Sequence, residues 1–328
     1  MIQAIEIPLE ETNARLQGLV RMPCPLCNHS DSMPENMIAG YQLEKCGGCG
    51  FVFMNPRCTP EHLDEIYRVR DEDELVQLYA RIASPSVVDG YRHKLDIIEA
   101  IVPARGRLLD FACAAGYFFE EAQKRGWDAH GCDIGQWTAK AAQSRGLRQL
   151  HVGSLGEIGF EPESFDVIYA AQVFEHLLLP NRDLAELLSL LKPGGMLYID
   201  VPNYRTLPIM FGKDDFMLNE PPQHINYFTS STMREMLSQA GMTNILISSD
   251  GGMKWENLLG RPISSEIASA YGLSDDNRQQ TATGPSLLGR CRDSAKAIVK
   301  STVIRPLFYN RLRVGMNLVA YSFKPSAR

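Results

Sequence analysis

The 328-residue chain lacks a long, uninterrupted apolar run, and this absence limits where the protein can reside. No stretch approaches the roughly 18 residues that a helix needs to cross a bilayer, so no transmembrane segment is predicted. Glu6, Glu10 and Glu11 interrupt the N-terminal region, where a secretory signal peptide would require a basic start and an apolar centre. Both absences favour a protein of the cytoplasm.

An excess of positive charge is also missing from the chain as a whole. The formal net charge of −6 at pH 7 argues against general affinity for nucleic acid, since proteins that bind phosphates along a polymer normally present a basic face. Hydrophobic residues make up 45% of the sequence, which is enough to bury a large core. The composition therefore predicts an enzyme-sized globular domain with smaller attachments.

The C-terminal part departs from this acidic balance. Residues 284–328 contain nine Lys or Arg and one Asp. Such a local excess is consistent with contact between this region and an anionic membrane surface, or with an anionic substrate. The alternative is that it forms the solvated outer face of a packed helix.

A third absence is the glycine pattern that binds a dinucleotide. Residues 108–118 read LLDFACAAGYF, an apolar run that leads through small residues into a helical pattern. The pyrophosphate fingerprint G-x-G-x-x-G is not matched, because Ala112 and Ala114 precede the single Gly116. Asp133 ends the next apolar run, where a carboxylate can accept hydrogen bonds from ribose hydroxyls. These segments predict a crevice for a nucleoside without a pyrophosphate.

Apolar runs and helical patterns alternate through the middle of the chain. Alternation at this interval predicts an α/β fold, with a Rossmann-like, doubly wound, mostly parallel sheet and helices on both faces. The predicted strands are 107–111, 128–133, 150–152, 167–171, 196–201, 245–248 and 316–323, and the predicted helices are 117–125, 136–145, 182–191 and 230–240.

Two further motifs, at residues 165–177 and 190–203, follow the small-residue turn in order. With them the chain resembles the class I S-adenosylmethionine-dependent methyltransferases, whose first motif usually reads D-x-G-x-G-x-G where this chain has DFACAAG. The resemblance covers about residues 60–325. It implies that S-adenosylmethionine is the cofactor. The residues implied in its binding are Asp110, Ala112, Ala114 and Gly116 at the turn, Asp133 and Ile134 at the ribose, Ser154 near the adenine, and Ala171 with Gln172 beneath the methyl group.

Four of the eight cysteines form a separate motif. Cys24 and Cys27 make one C-x₂-C pair, Cys46 and Cys49 make another, and positions 28–45 separate the pairs. This spacing predicts a four-thiolate Zn²⁺ site. Four thiolates fill a tetrahedral shell, so the zinc is expected to be structural. Disulfides are the alternative, which a cytoplasmic setting disfavours. The chain thus looks like methyltransferases that carry an N-terminal zinc ribbon.

Two histidines are candidates for catalysis. His224, in the segment NEPPQHINYF, is the first candidate for a general base, because histidine titrates near neutrality. The alternative is a structural histidine that holds its loop. His176, next to Glu175, is the second candidate; that pair could instead bind a metal ion or serve in packing.

The sequence therefore predicts five parts and one main function. We expect an S-adenosylmethionine-dependent methyltransferase that acts on a small molecule or sugar in a biosynthetic pathway, with O- or N-methylation favoured. The alternatives are an RNA or protein methyltransferase, or an inactive methyltransferase-like binding module. The predicted parts are an extension (1–19), a zinc ribbon (20–58), lid helices (59–103), the cofactor-binding core (104–250 and 316–328) and a partly helical insertion (251–315).

Overall fold

The computed structural model describes residues 19–38, 40–60, 72–206, 221–250 and 316–326. The predicted insertion (251–315) and nearly all of the predicted N-terminal extension lie outside the described residues. So does most of the basic C-terminal region for which membrane contact was considered.

The described residues form strands and helices that alternate through most of the chain. The strands are β1 (Ser32–Ile38), β2 (Tyr41–Cys46), β3 (Val52–Met54), β4 (Arg107–Phe111), β5 (Asp128–Asp133), β6 (Leu150–Val152), β7 (Phe165–Ala171), β8 (Leu191–Pro202), β9 (Asn226–Tyr227), β10 (Thr243–Asp250) and β11 (Asn317–Phe323). The helices are α1 (Glu72–Ile82), α2 (Pro85–Ile101), α3 (Tyr117–Lys124), α4 (Trp137–Ser144), α5 (Leu155–Ile158), α6 (Pro180–Leu190) and α7 (Ser230–Gln239).

A seven-stranded sheet forms the centre of the molecule, with the strand order β10-β11-β8-β7-β4-β5-β6. The strands from β6 to β8 pair in parallel, whereas β11 runs antiparallel to both β8 and β10. This topology confirms the predicted fold class. The chain builds outward from β4 to β6 and then returns to the other side of β4 as β7, which creates a crevice at the carboxyl ends of β4 and β7.

Residues along the central strands alternate between two hydrophobic clusters, one on each face of the sheet. In β7, Val167 and Tyr169 belong to one cluster, and Ile168 and Ala170 belong to the other. Parallel strands that are covered on both faces carry such continuous apolar runs. Helices α2 and α3 cover the first face, and α6 and α7 cover the second.

Helix α2 lies within the predicted lid helices (59–103) and packs on the central sheet; the role of residues 59–103 as a lid stays a prediction. Leu95 and Ile98 of α2 are fully buried against the sheet cluster, and Tyr91 packs edge-on against Phe118 of α3. The helical pattern was recognised from its spacing, but spacing alone does not identify the surface that a helix covers. Helix α1 instead packs on α4, where Tyr79 stacks on Trp137 at a centroid distance of 4.7 Å.

A second sheet, with the order β1-β2-β3-β9, contains the predicted ribbon region. Its fourth strand, β9, comes from the loop that follows β8 of the central sheet, so the second sheet crosses the predicted boundary at residue 58. The N–H of Met54 donates to the Ile225 carbonyl (2.9 Å), and the ring of Phe51 lies 5.0 Å from that of Phe228. The ribbon is therefore joined to the core by main-chain pairing as well as by apolar packing.

Asn226 connects this sheet to the segment that follows β7. Its side chain is 2% exposed, and Nδ2 donates to the carbonyls of Phe174 (2.9 Å) and Leu177 (2.6 Å). The buried guanidinium of Arg57 donates to the Leu178 carbonyl (2.9 Å) from the ribbon side. Buried polar groups are retained where they satisfy main-chain acceptors that a loop leaves unpaired.

Among the described residues, no helix combines the length and the apolarity needed to cross a bilayer.

We expect Asn226→Ala to lower the free energy of unfolding by about 2 kcal/mol, because two buried carbonyls lose their amide donor. Urea denaturation followed by circular dichroism measures this change. Gln239→Ala, on the exposed face of α7, serves as the control and should change stability by about 0.5 kcal/mol or less. Equal stabilities of the two variants would contradict the assigned role of Asn226.

Candidate functional site

The turn between β4 and α3 has three residues with left-handed backbone conformations. The φ angles are 56° at Ala112, 48° at Ala114 and 77° at Gly116. Alanine in this region costs about 1–2 kcal/mol, whereas glycine adopts it freely. The two alanines thus keep the backbone path of a glycine-rich turn at some cost in strain. Alanine would not fit in place of Gly116, because an added Cβ would lie 2.3 Å from the ring of Phe119.

Asp133 fastens this turn to the end of β5. Its Oδ2 accepts from the N–H of Ala114 (2.9 Å), and its Oδ1 accepts from the N–H of Gly135 (2.8 Å). Burial raises the pKa of Asp133, and the two amides oppose that shift. Each carboxylate oxygen has a further lone pair, so the side chain can still accept from a ligand.

Asp110 lies at the centre of the crevice, in β4, and is 4% exposed. Burial raises its pKa well above the usual range, and the nearby charge of Asp133 adds to the shift, whereas the N–H of Phe119 and the Lys94 ammonium oppose it. Two carboxylates held close together in a poorly solvated crevice favour a positively charged ligand over a phosphate.

A buried ion pair lies behind the crevice and was not found from the sequence. Lys94 of α2 donates to Asp200 of β8 at 2.6 Å and to the hydroxyl of Tyr169 at 3.2 Å. Burial alone would lower the pKa of Lys94, but Tyr169 and Asp200 outweigh it and raise the pKa well above its usual value. An aspartate inside the apolar run LYIDVP was the available signal, since a buried carboxylate needs a partner.

The residues predicted beneath the methyl group lie at the end of β7, beside this ion pair. Gln172 follows Ala171, has a φ of 56°, and donates from its N–H to the Asp200 carbonyl at 2.7 Å. Its side-chain Nε2 lies 3.3 Å from Oδ1 of Asp200. Asp200 therefore fixes both the main chain and the side chain of Gln172 at the crevice.

The two predicted residues farther along the crevice differ in their surroundings. Ile134 follows Asp133 and is 71% exposed, so its apolar side chain is open to a ligand. Ser154 instead caps α5: Glu157 accepts from the Ser154 hydroxyl (2.7 Å) and from its N–H (2.8 Å). The Ser-x-x-Glu spacing is a capping box that the sequence contained. The predicted contact between Ser154 and adenine stays a prediction.

Glu175, His176 and His224 meet just beyond the carboxyl end of β7. Each offers one ligand atom, and these atoms lie within 4.8 Å of one another. His176 Nε2 lies 3.8 Å from Oε1 of Glu175, and the two imidazole rings pack edge-on with centroids 4.8 Å apart. The structure thus brings together both histidines that were predicted as catalytic candidates.

Protonation within this cluster is governed by burial. Burial lowers the pKa of His176 to about 4, and His224 adds to the shift, while the contact with the Gln223 carbonyl opposes it. Burial also raises the pKa of Glu175 well above its usual range, and Asp200 adds to this effect. His176 is therefore neutral at pH 7.

The four predicted zinc ligands also converge. Sγ of Cys24 lies 3.6 Å from that of Cys49, and Sγ of Cys27 lies 3.5 Å from that of Cys46. Tetrahedral zinc with bonds of about 2.3 Å separates its sulfur ligands by about 3.8 Å. Two pairs of reduced thiols at this separation fit the ion that the spacing predicts.

The local backbone around the thiols resembles a pair of matched turns. Asn28 follows one cysteine pair with a φ of 58°, and Gly50 follows the other with a φ of 72°. The N–H of Gly48 points at Sγ of Cys46 (3.3 Å). A residue with a left-handed conformation thus directly follows each cysteine pair.

Comparison with known proteins agrees with this geometry. Residues 87–247 match the family model described as a methyltransferase domain. A ubiquinone biosynthesis O-methyltransferase of Hahella chejuensis is 30% identical over 128 residues, which are 36% of this chain and 52% of the relative. The corresponding protein of Marinobacter nauticus is 26% identical over 164 residues, 45% of this chain and 69% of the relative. The chain thus spans only about half the length of the first of these relatives.

Among solved structures, a SAM-dependent methyltransferase from Archaeoglobus fulgidus is 14% identical, with a TM-score of 0.47 over 81% of this chain and 100% of that chain. A 1,6-didemethyltoxoflavin-N1-methyltransferase from Burkholderia thailandensis is 15% identical, with a TM-score of 0.46 over 89% and 99% of the two chains. The family match supports the predicted enzyme class: residues 87–247 of the chain match a methyltransferase domain.

Proposed function

We propose that this chain transfers the methyl group of S-adenosylmethionine to a hydroxyl or amine of a small molecule or sugar. The observation that carries the proposal is the pair of carboxylates, Asp110 and Asp133, at the switch-point crevice. S-adenosylmethionine is a nucleoside that bears a sulfonium and an ammonium group, so it matches both the ribose site and the negative charge. A cofactor with a pyrophosphate would meet two carboxylates without a compensating cation.

The bound cofactor supplies an activated methyl group, and the protein has to align the acceptor with it and exclude water. Asp110 and Gly116 are proposed to hold the methionine end, and Asp133 with Ile134 the ribose end. Ala171 and Gln172 are proposed to form the wall under the methyl group. Because Asp200 fixes Gln172 through two contacts, that wall is set by the buried ion pair with Lys94.

Asp133→Asn should weaken binding of S-adenosylhomocysteine at least tenfold, because a neutral amide replaces the carboxylate acceptor for the ribose hydroxyls. Isothermal titration calorimetry measures the affinity, and a thermal melt confirms that the variant is folded. Asp128→Asn, at the opposite end of β5, is the matched control and should bind like the wild type. Unchanged affinity in Asp133→Asn would refute the ribose assignment. Absence of binding by the wild type would favour an inactive binding module.

The acceptor proton is proposed to pass to His224. An efficient base has a pKa near the working pH, and the pKa of about 4 makes His176 a weak one. His224 lies beside it, on the loop that leads into β9.

His224→Gln should lower kcat at neutral pH by at least tenfold while the affinity for S-adenosylhomocysteine stays unchanged. Formation of S-adenosylhomocysteine can be followed with a panel of phenols, sugars and amines as acceptors. His93→Gln, on the exposed face of α2, is the control and should retain full activity. An unaltered kcat in His224→Gln would remove this residue from the mechanism.

The four cysteines are proposed to bind one structural zinc ion. The ribbon shares main-chain pairing with β9, so its folding supports the loop that carries His224. Binding of metal to such a site is coupled directly to folding.

Cys49→Ala should lose one equivalent of zinc relative to the wild type and should unfold at a lower temperature, because three thiolates no longer complete the shell. Metal analysis and differential scanning calorimetry measure the two effects. Cys58→Ala removes a fully buried thiol that is not part of the cluster, and it should retain the zinc. Equal zinc contents in the two variants would exclude the four-cysteine site.

A further inference from the structure

Glu175 and His176 face each other beyond the end of β7, with Oε1 of the carboxylate 3.8 Å from Nε2 of the imidazole. His176 Nδ1 lies 3.0 Å from the Gln223 carbonyl, which can only accept, so Nδ1 carries the hydrogen of the neutral ring. Its Nε2 therefore presents a lone pair toward Oε1 of Glu175. Two acceptors facing each other repel unless a positively charged group lies between them.

The buried carboxylate of Glu175 requires such a positively charged group. Glu175 is 1% exposed, and within the described part of the chain neither carboxylate oxygen has a hydrogen-bond partner. Leaving a buried carboxylate unpaired costs several kcal/mol, so such groups are normally matched by a cation, a proton or a donor. This carboxylate lies beside the imidazoles of His176 and His224.

The distances suit a metal ion better than a hydrogen bond. The 3.8 Å between Oε1 of Glu175 and Nε2 of His176 exceeds hydrogen-bond range. It is less than about 4.2 Å, the sum of two metal–ligand bonds of about 2.1 Å. His224 adds a third ligand atom, and all three ligand atoms lie within 4.8 Å of one another.

We propose that Glu175, His176 and His224 bind one divalent transition-metal ion, at a site separate from the four cysteines. Two imidazole nitrogens and one carboxylate oxygen are the donors of a facial triad, which suits Zn²⁺, Mn²⁺, Fe²⁺ or Co²⁺ and leaves further positions open. All-oxygen sites are typical of Mg²⁺ and Ca²⁺, and the two imidazoles select against those ions.

The groups around the triad have the features that orient metal ligands. A ligating histidine usually donates its second N–H to a main-chain carbonyl, as Nδ1 of His176 does to Gln223. The Glu175 carbonyl accepts from the N–H groups of Ile225 (2.9 Å) and Asn226 (3.0 Å), which holds the His224 loop against the segment that bears the other two ligands. The ligand-bearing segments are thus fixed to each other before any ion binds.

The open positions of the triad would accept an oxygen of the methyl acceptor, and this part of the inference rests on the proposed function. A hydroxyl bound there loses its proton more readily, and the proton passes to water. The methyl group then moves from sulfur to that oxygen, which yields an ether and neutral S-adenosylhomocysteine. With the ion bound, His224 is a ligand and the metal promotes ionisation of the acceptor, so the role of His224 as general base applies to the metal-free protein.

The test uses the full chain with its ribbon zinc in place and titrates it with Mn²⁺, followed by electron paramagnetic resonance. Mn²⁺ is chosen because thiolates select Zn²⁺ over it, so the ribbon is not disturbed. Zn²⁺ is then added as a competitor. We expect one Mn²⁺ per chain, displaced by Zn²⁺. Glu175→Gln and His224→Gln should weaken binding at least tenfold, whereas His93→Gln should leave it unchanged.

Binding of neither ion beyond the ribbon equivalent, or equal affinity in the wild type and His224→Gln, would overturn the proposal and leave a protonated Glu175 as the explanation. His224 is half-buried on a loop, so its variant remains informative if Glu175→Gln does not fold. Titration of the same samples with S-adenosylhomocysteine separates the two proposals. Metal binding without cofactor binding would support the metal site and refute the methyltransferase activity. Cofactor binding without metal binding would refute the metal site and support the proposed function.

Discussion

The hydrogen bonds between the segment after β7 and the start of β9 hold together parts of the chain that are far apart in sequence. One carbonyl, that of Glu175, accepts from both Ile225 and Asn226, and the Asn226 side chain returns two bonds to the same segment. β9 then pairs with β3 of the ribbon. The positions of His176 and His224, and the attachment of the ribbon to the core, all depend on this junction.

The central sheet contributes a second constraint, which is electrostatic. Asp110, Asp133 and Asp200 all lie in or at the end of parallel strands of the central sheet, and burial raises the pKa of Asp110 and Asp133. Lys94 compensates Asp200, and turn amides compensate Asp133. The carboxylates at the crevice therefore still favour a positively charged ligand there. A cationic cofactor thus completes the charge balance that the strands leave open, as well as filling a space.

The parts of this structure that could be predicted are those whose signal is local. The strands at 107–111 and 128–133 were predicted to the residue from the alternation of strand-like and helical segments along the chain. The two-residue strand β9 was not predicted, since it exists only through pairing with β3. Left-handed conformations at Ala112 and Ala114 were not predicted either, because alanine gives no sign of positive φ. The candidate ligands and bases were named, but their convergence depends on contacts across some fifty residues.

The pairing of β10 with β11 determines how residues 251–316 are attached. Asp250 and Asn317 are directly opposite in the register, so the chain leaves the sheet and returns to it at adjacent points. Asn317 also pairs with Pro202 at the carboxyl end of β8, on the crevice side of the sheet. The strand register is thus set by β8, β10 and β11 themselves, so a change in the number of residues between Asp250 and Asn317 would leave that register unaltered.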